Sequence, residues 1–152
     1  MLKHKTKVRV RYGETDQMGI VNNAVYSSYF EVGRTHMFRN LGLPYSKIEE
    51  KGTLLPLSEL HIKYHRPAVY DEELTIETYV DEFPKSRIRF KYNIYNETGK
   101  LLVNGETVLA FLNGETRRPT RIPQYLADML RPYFEDASNL NPASDDSKSS
   151  DE

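Results

Sequence analysis

The stretch Asn22-Asn23-Ala24-Val25-Tyr26-Ser27-Ser28-Tyr29-Phe30-Glu31-Val32-Gly33-Arg34-Thr35-His36-Met37-Phe38-Arg39-Asn40-Leu41 decides the fold class. Asn22 or Asn23 offers an N-cap, and Gly42 followed by Pro44 supplies a stop, so the pattern predicts one helix of about five turns. Two apolar stripes run along it, Tyr26/Phe30/Gly33/Met37/Leu41 and Val25/Tyr29/Val32, beside a narrow polar strip of Ser28, Glu31, Thr35 and Arg39. A helix this apolar must be wrapped by other structure. Gly33 costs about 1 kcal/mol relative to Ala in a helix interior, so its presence points to close backbone packing.

What wraps the helix is legible on both sides of it. Upstream, Val8, Val10 and Tyr12 alternate with Lys7, Arg9 and Arg11, the period of a half-buried strand over Lys5 to Tyr12. Downstream, a short helical turn over Ser46 to Lys51 precedes four strands. Leu60, Ile62 and Tyr64 alternate with His61, Lys63 and His65, and after Arg66-Pro67, Leu74, Ile76 and Val80 alternate with Thr75, Glu77 and Asp81. Ile88, Phe90, Tyr92 and Ile94 alternate with Arg87, Arg89, Lys91 and Asn93. The turn Asn96-Glu97-Thr98-Gly99 then feeds a long strand from Leu101 to Leu112. Asn113-Gly114 marks a tight turn, a last strand is expected through Arg117 to Arg121, and Pro123 opens a terminal helix to about Phe134. One apolar helix with a run of antiparallel strands predicts an α+β fold in which the sheet curls around the helix. There is no internal repeat.

Composition narrows the function classes. With 152 residues the chain is expected to form one domain over residues 1–136 and to bury roughly 70% of its unfolded surface without staples. Residues 137–152 are rich in Ser, Asp and Asn and are expected to be a disordered acidic tail. The chain has no Cys, which excludes disulfides, thiol nucleophiles and Cys-bound zinc, and its four His lack metal-ligand spacing. Catalysis must then use oxygen or imidazole groups. The N-terminus has basic residues but no apolar core of a signal peptide, and no segment approaches a membrane span, so a cytoplasmic protein without membrane attachment is expected. A net charge of −1 argues against nucleic-acid binding. Without the tail, 20 basic residues face 18 acidic ones, a balance that suits a locally bound anionic ligand.

The segment Tyr12-Gly13-Glu14-Thr15-Asp16-Gln17-Met18-Gly19-Ile20-Val21 places a carboxylate on a turn just before the long helix. Thr-Asp-x-x-Gly favours turn geometry with or without chemistry. A helix N-terminus beside it offers unpaired N–H donors that polarise a carbonyl, while a nearby carboxylate attacks that carbonyl or activates water. The pairing suits acyl transfer. Among the backbone donors, those of Gly19, Ile20 and Val21 run toward the helix start. Asn23 is either an N-cap or a group that orients water or substrate.

Tyr12, Glu14-Thr15-Asp16, Gly19, Val21, Tyr26, Tyr29-Phe30-Glu31 and Arg34-Thr35 resemble the signature of the 4-hydroxybenzoyl-CoA thioesterase family of hotdog-fold acyl-CoA thioesterases. The resemblance continues over residues 64–74 and 115–123 and covers nearly all of residues 5–135. It implies that Asp16 is the catalytic aspartate, as general base or as a nucleophile forming a mixed anhydride, and that Tyr12 lies in the active site. It also implies that Lys85, Ser86, Arg87 and Arg89 meet the CoA phosphates and adenosine, with Arg117, Arg118 and Arg121 as weaker candidates. The substrate would be an acyl-CoA, with CoA as part of the substrate and no separate cofactor or metal. Family members place active sites at subunit interfaces, so a homodimer or homotetramer is expected. An acyl carrier protein is the alternative thioester carrier, and a non-catalytic acyl-CoA-binding module the alternative from another class. One departure is that many relatives carry a histidine where this chain has Asn23. The simpler readings of other residues are a Glu31 pairing with Arg34 or Thr35, a structural Glu59, and surface roles for His61 and His65.

Overall fold

The computed structural model describes residues 1–134, so the acidic tail expected at 137–152 lies outside the described residues. Five strands form one antiparallel sheet: β1 (Leu2–Arg9), β3 (Leu57–Tyr64), β4 (Glu73–Val80), β5 (Arg87–Tyr95) and β6 (Leu101–Ala110), in the order β1-β4-β5-β6-β3. The long helix α1 (Tyr26–Asn40) follows a 3-10 turn at Asn23–Val25 and packs across β1, β4 and β5. A short helix α2 (Tyr45–Glu50), a two-strand ribbon of β2 (Thr53–Leu54) and β7 (Leu112–Asn113), and a terminal helix α3 (Gln124–Leu130) complete the chain. The α+β reading holds, with the sheet curled around α1.

Helix and sheet meet where the sequence thinned them. A Cβ on Gly33 would strike the Thr78 hydroxyl and lie 2.9 Å from Ile76 Cγ2. On the sheet side, a Cβ on Gly105 would strike the His61 carbonyl and lie 2.9 Å from the Phe30 ring. The two missing side chains let Phe30 lie flat on Tyr92, with centroids 4.1 Å apart and planes 4° from parallel. Around that stack, Leu74, Ile76, Ile88, Phe90, Ile94, Leu102 and Phe111 have no exposed surface. Arg34 is also buried there, only 9% exposed. Its Nη1 donates to the Tyr92 hydroxyl at 3.4 Å, that hydroxyl is 2.6 Å from Thr107 Oγ1, and no acid among the described residues pairs with it.

Several expected boundaries move for local reasons. β1 begins at Leu2, which is buried, and ends at Arg9, so Tyr12 stands beyond the strand in a 3-10 turn over Tyr12–Glu14. The expected strand Leu101 to Leu112 divides at Phe111. There the buried ring anchors a bend, the backbone N–H turns to the Ser86 carbonyl, and the chain resumes in β7 against β2. The strand expected over Arg117 to Arg121 does not form. Arg117 sits at φ 60°, Pro119 has no N–H to give, and the segment makes only an isolated bridge from Pro119 to Leu112. α3 has Pro123 immediately before its first residue and closes at Leu130, with Pro132 two residues on.

β3 shows the expected alternation without the expected burial. Its register sets Leu60 opposite Thr107, Ile62 opposite Gly105 and Tyr64 opposite Val103, all on the helix side of the sheet. Leu60 is nevertheless 40% exposed and Tyr64 48% exposed, because α1 crosses the far strands and β3 is an edge.

Candidate functional site

Between β1 and α1 the chain folds back on itself as a small, backbone-stitched loop. The Asp16 N–H donates to the Ile20 carbonyl at 2.9 Å and the Asn22 N–H to the Glu14 carbonyl at 2.9 Å, bridging Thr15 to Val21. Inside this bracket the Gly19 N–H closes onto the Asp16 carbonyl at 3.0 Å, and the Met18 N–H donates to Asp16 Oδ1 at 2.8 Å. Gly19 lies at φ 78°, a conformation that only glycine adopts without cost, which explains its place in the turn. The bracket is tied in turn to the segment after β3: the Val21 N–H donates to the Ala68 carbonyl at 2.9 Å and the Tyr70 N–H to the Gly19 carbonyl at 3.4 Å.

This geometry corrects the expected donors. The N–H groups of Gly19 and Val21 are both spent inside the chain, and neither residue belongs to the helix start. The Ile20 and Asn23 N–H groups make no hydrogen bond within the chain, the second because it opens the 3-10 turn that leads into α1. Asn22, not Asn23, is the cap: its Oδ1 accepts the Ala24 N–H at 2.9 Å. Asn23 thus keeps its side chain free, while its carbonyl accepts the Tyr64 hydroxyl at 3.1 Å.

A cleft of about 270 Å³ opens at this point, lined by Ile20, Val21 and Asn23 together with Tyr26, Tyr64, His65, Arg66 and Pro67. Asp16 stands one backbone hydrogen bond behind its Ile20 wall and is solvent-exposed. Tyr12 is 78% exposed and packs edge-on against Tyr70 with centroids 5.6 Å apart, so it flanks the turn from outside instead of joining the core. Met18, Val69 and Tyr70 are exposed around it. The structure therefore brings Asp16, Gly19, Val21 and Asn23 to one place, with Tyr12 at its border.

The second carboxylate of the loop behaves differently from Asp16. Glu14 has a side chain only 15% exposed, and its oxygens accept the Arg11 N–H at 2.9 Å, the Arg11 guanidinium at 3.2 and 3.3 Å, and the Tyr29 hydroxyl at 2.8 Å. Burial pushes the Glu14 carboxyl up, but the Arg11 N–H, the Tyr29 hydroxyl and the Arg11 charge outweigh it and hold it below the usual carboxylate range. Burial, then the bond to Glu14, pushes the Tyr29 hydroxyl well above its ordinary range.

The basic residues divide into two groups. On the outer face of the sheet Arg87 pairs with Glu59 at 3.6 Å, Arg89 with Glu106, and Lys91 with Asp81 at 2.8 Å. Lys85, Arg117, Arg118 and Arg121 make no ion pair among the described residues. Lys85 lies beside the chain that carries Arg121, since the Ile122 N–H donates to the Lys85 carbonyl at 2.6 Å. Ser86 lies between the two groups and, with Lys85 and Arg87, lines a surface groove.

Glu31 does not pair with Arg34. The Thr35 hydroxyl donates to the Glu31 carbonyl at 2.8 Å. His61 sits 3.3 Å from Glu59, and His65 reaches Asn104 at 2.6 Å while also lining the cleft. The cleft residues Tyr26, Tyr64, His65 and Arg66 were not singled out as site residues from the sequence. Their only signal there was position, with Tyr26 one turn beyond the Asn cap and the other three just before a proline.

Three comparisons bear on this site. A model of the "Thioesterase-like superfamily" matches residues 10–130. A Bacillus subtilis protein named "Putative acyl-CoA thioesterase YneP" is 34% identical over 85% of this chain and 94% of its own length. The chloroplast protein of Arabidopsis thaliana named acyl-acyl carrier protein thioesterase ATL2 is 31% identical over 86% of this chain and 68% of its own. A solved structure of a DHNA-CoA thioesterase from Staphylococcus aureus superposes with a TM-score of 0.76 at 32% identity, covering 91% of this chain and 88% of that one.

Proposed function

Since the chain belongs to the thioesterase-like superfamily, we propose that it is an acyl-CoA thioesterase of the 4-hydroxybenzoyl-CoA type, hydrolysing a thioester to a carboxylate and free CoA. The observation that carries this reading is the stitching of the Asp16 turn to Ile20, which forms the wall of a cleft at the start of α1. In this reading the thioester carbonyl enters the cleft, and the unpaired N–H groups of Ile20 and Asn23 meet the developing negative charge, each worth roughly 10²–10³-fold in rate. Asp16 either takes a proton from water as it adds to the carbonyl carbon, or adds itself and is released by water from the mixed anhydride. The departing thiolate is protonated to free CoA. The exposed Tyr12, Tyr26 and Tyr64 edges offer an apolar wall for the acyl group, and no separate cofactor or metal is invoked.

Two further parts complete the reading. The helix-side face of β3, with Leu60 and Tyr64 uncovered, is where a second copy would close the cleft, giving a homodimer that pairs again into a homotetramer. The unpaired cations Lys85, Arg117, Arg118 and Arg121, with Ser86, Arg87 and Arg89 beside them, would hold the phosphates of CoA. No helix among the described residues is long and apolar enough to cross a membrane, and we place the protein in the cytoplasm.

The likeness to a relative named for an acyl carrier protein substrate favours a second reading, in which those cations meet an acidic carrier instead. Thiol release from aromatic and aliphatic acyl-CoAs, measured for wild type and Asp16→Asn, tests the first reading. We expect the variant to lose at least about 10²-fold in kcat with its circular dichroism unchanged. Near-wild-type turnover would remove Asp16 from the chemistry. Failure of free CoA to compete would favour the carrier-protein reading, and tight acyl-CoA binding without hydrolysis a binding module.

A further inference from the structure

We infer that Glu14 is a positioning residue, which fixes the Asp16 turn against α1 through the Tyr29 hydroxyl. Two carboxylates stand two residues apart in this loop, and the structure gives them opposite circumstances. Asp16 is exposed and accepts one turn N–H. Glu14 is nearly enclosed, and both its oxygens are filled by Arg11 and Tyr29, which leaves it no lone pair directed to a substrate or to water.

The contact with Tyr29 is the loop's side-chain attachment to the middle of α1, and it spans 15 residues of sequence. Tyr29 is itself held. Its ring is buried and packs edge-on against Tyr26 with centroids 5.8 Å apart, and the Tyr26 hydroxyl accepts the Ala68 N–H at 3.3 Å. The Ala68 carbonyl in turn accepts the Val21 N–H. A closed circuit therefore runs from Glu14 through Tyr29 and Tyr26 to Ala68 and back to the loop at Val21. The same residue closes the loop's other end, because the Glu14 carbonyl accepts the Asn22 N–H. With the circuit intact, the position of Asp16 relative to the first turn of α1 is set. With it cut, the loop hangs on its bonds to residues 68–70 and pivots against the helix. A displacement near 1 Å is enough to cost on the order of 10²-fold in a reaction that depends on alignment.

This inference rests on Asp16 as the reacting carboxylate, and two readouts separate the ideas. In the acyl-CoA assay, Tyr29→Phe is expected to lower kcat about 10-fold with KM within about twofold of wild type. Glu14→Ala should lose a similar amount and Glu14→Gln, which keeps an acceptor oxygen, less. The double variant Glu14→Ala/Tyr29→Phe should be no worse than the more damaging single change. Independently of any substrate, hydrogen exchange at the Asp16 and Gly19 amides should rise at least about 10-fold in Tyr29→Phe while the α1 amides stay protected. Unchanged exchange in Tyr29→Phe overturns the clamp whatever the rates, and so does strict additivity in the double variant. Faster exchange in a protein that hydrolyses no acyl-CoA would leave the clamp standing and remove the thioesterase reading.

Discussion

The sheet has a covered half and an open half, though the two are written in the same alphabet. β4 and β5 alternate apolar and polar residues, and every apolar one is buried under α1. β3 alternates in the same way, yet Leu60 and Tyr64 remain exposed. The difference lies in what stands above each strand. A single helix about 10 Å wide spans only about two strands at their usual spacing of roughly 4.8 Å, so a five-strand sheet wrapped on one helix leaves an edge face without a lid. Burial is therefore a property of the partner surface, and alternation states only that a partner is required.

The contrast breaks most visibly in the covered half. Phe30→Ala removes the ring stacked on Tyr92 and should cost about 3–5 kcal/mol, read by urea denaturation. A loss below about 1 kcal/mol would mean that the centre of the sheet is as forgiving as its edge. In the open half Leu60→Asp should leave the secondary structure of the chain intact. It should shift sedimentation from an oligomer toward the 17.7 kDa monomer. A wild type already monomeric at high micromolar concentration would show that no second copy covers β3. The smallest effect belongs to the outer face. Removing the Lys91–Asp81 pair by Lys91→Ala should cost less than about 1 kcal/mol, because that pair is partly solvated. A larger cost would indicate that this face too is covered in the assembly.

What the sequence disclosed follows the same division. The helix, its stop at Gly42, the strands through Leu74 and Phe90 and the turn at Gly99 all depend on neighbours within a few residues, and each was readable. Gly33 also spoke for itself, because a glycine in an otherwise apolar helix needs a reason. The features that escaped depend on distant groups. The strand expected at Arg117 to Arg121 fails because Pro119 denies its partner a donor and Arg117 turns out of line. Gly19 and Val21 looked like free donors until the Ala68 carbonyl and the loop's own Asp16 carbonyl took their N–H groups. Asn22 and Asn23 are indistinguishable by type, and only the direction of the first helical turn decides which one caps. The tie from Glu14 to Tyr29 joins a loop acid to a helix phenol, a pairing that no local pattern announces.

The loop that carries Asp16 is held by main-chain bonds: Asp16 to Ile20, Gly19 to Asp16, Asn22 to Glu14 and Val21 to Ala68. The side chains of Gln17 and Met18 contribute to none of them and point to solvent. Those positions are therefore free to vary with little cost in folding. A lineage that exchanged Met18 or Gln17 could retune which acyl groups it accepts while the reacting carboxylate stayed in place, so that selection for a new substrate and selection for a stable fold would act on separate atoms.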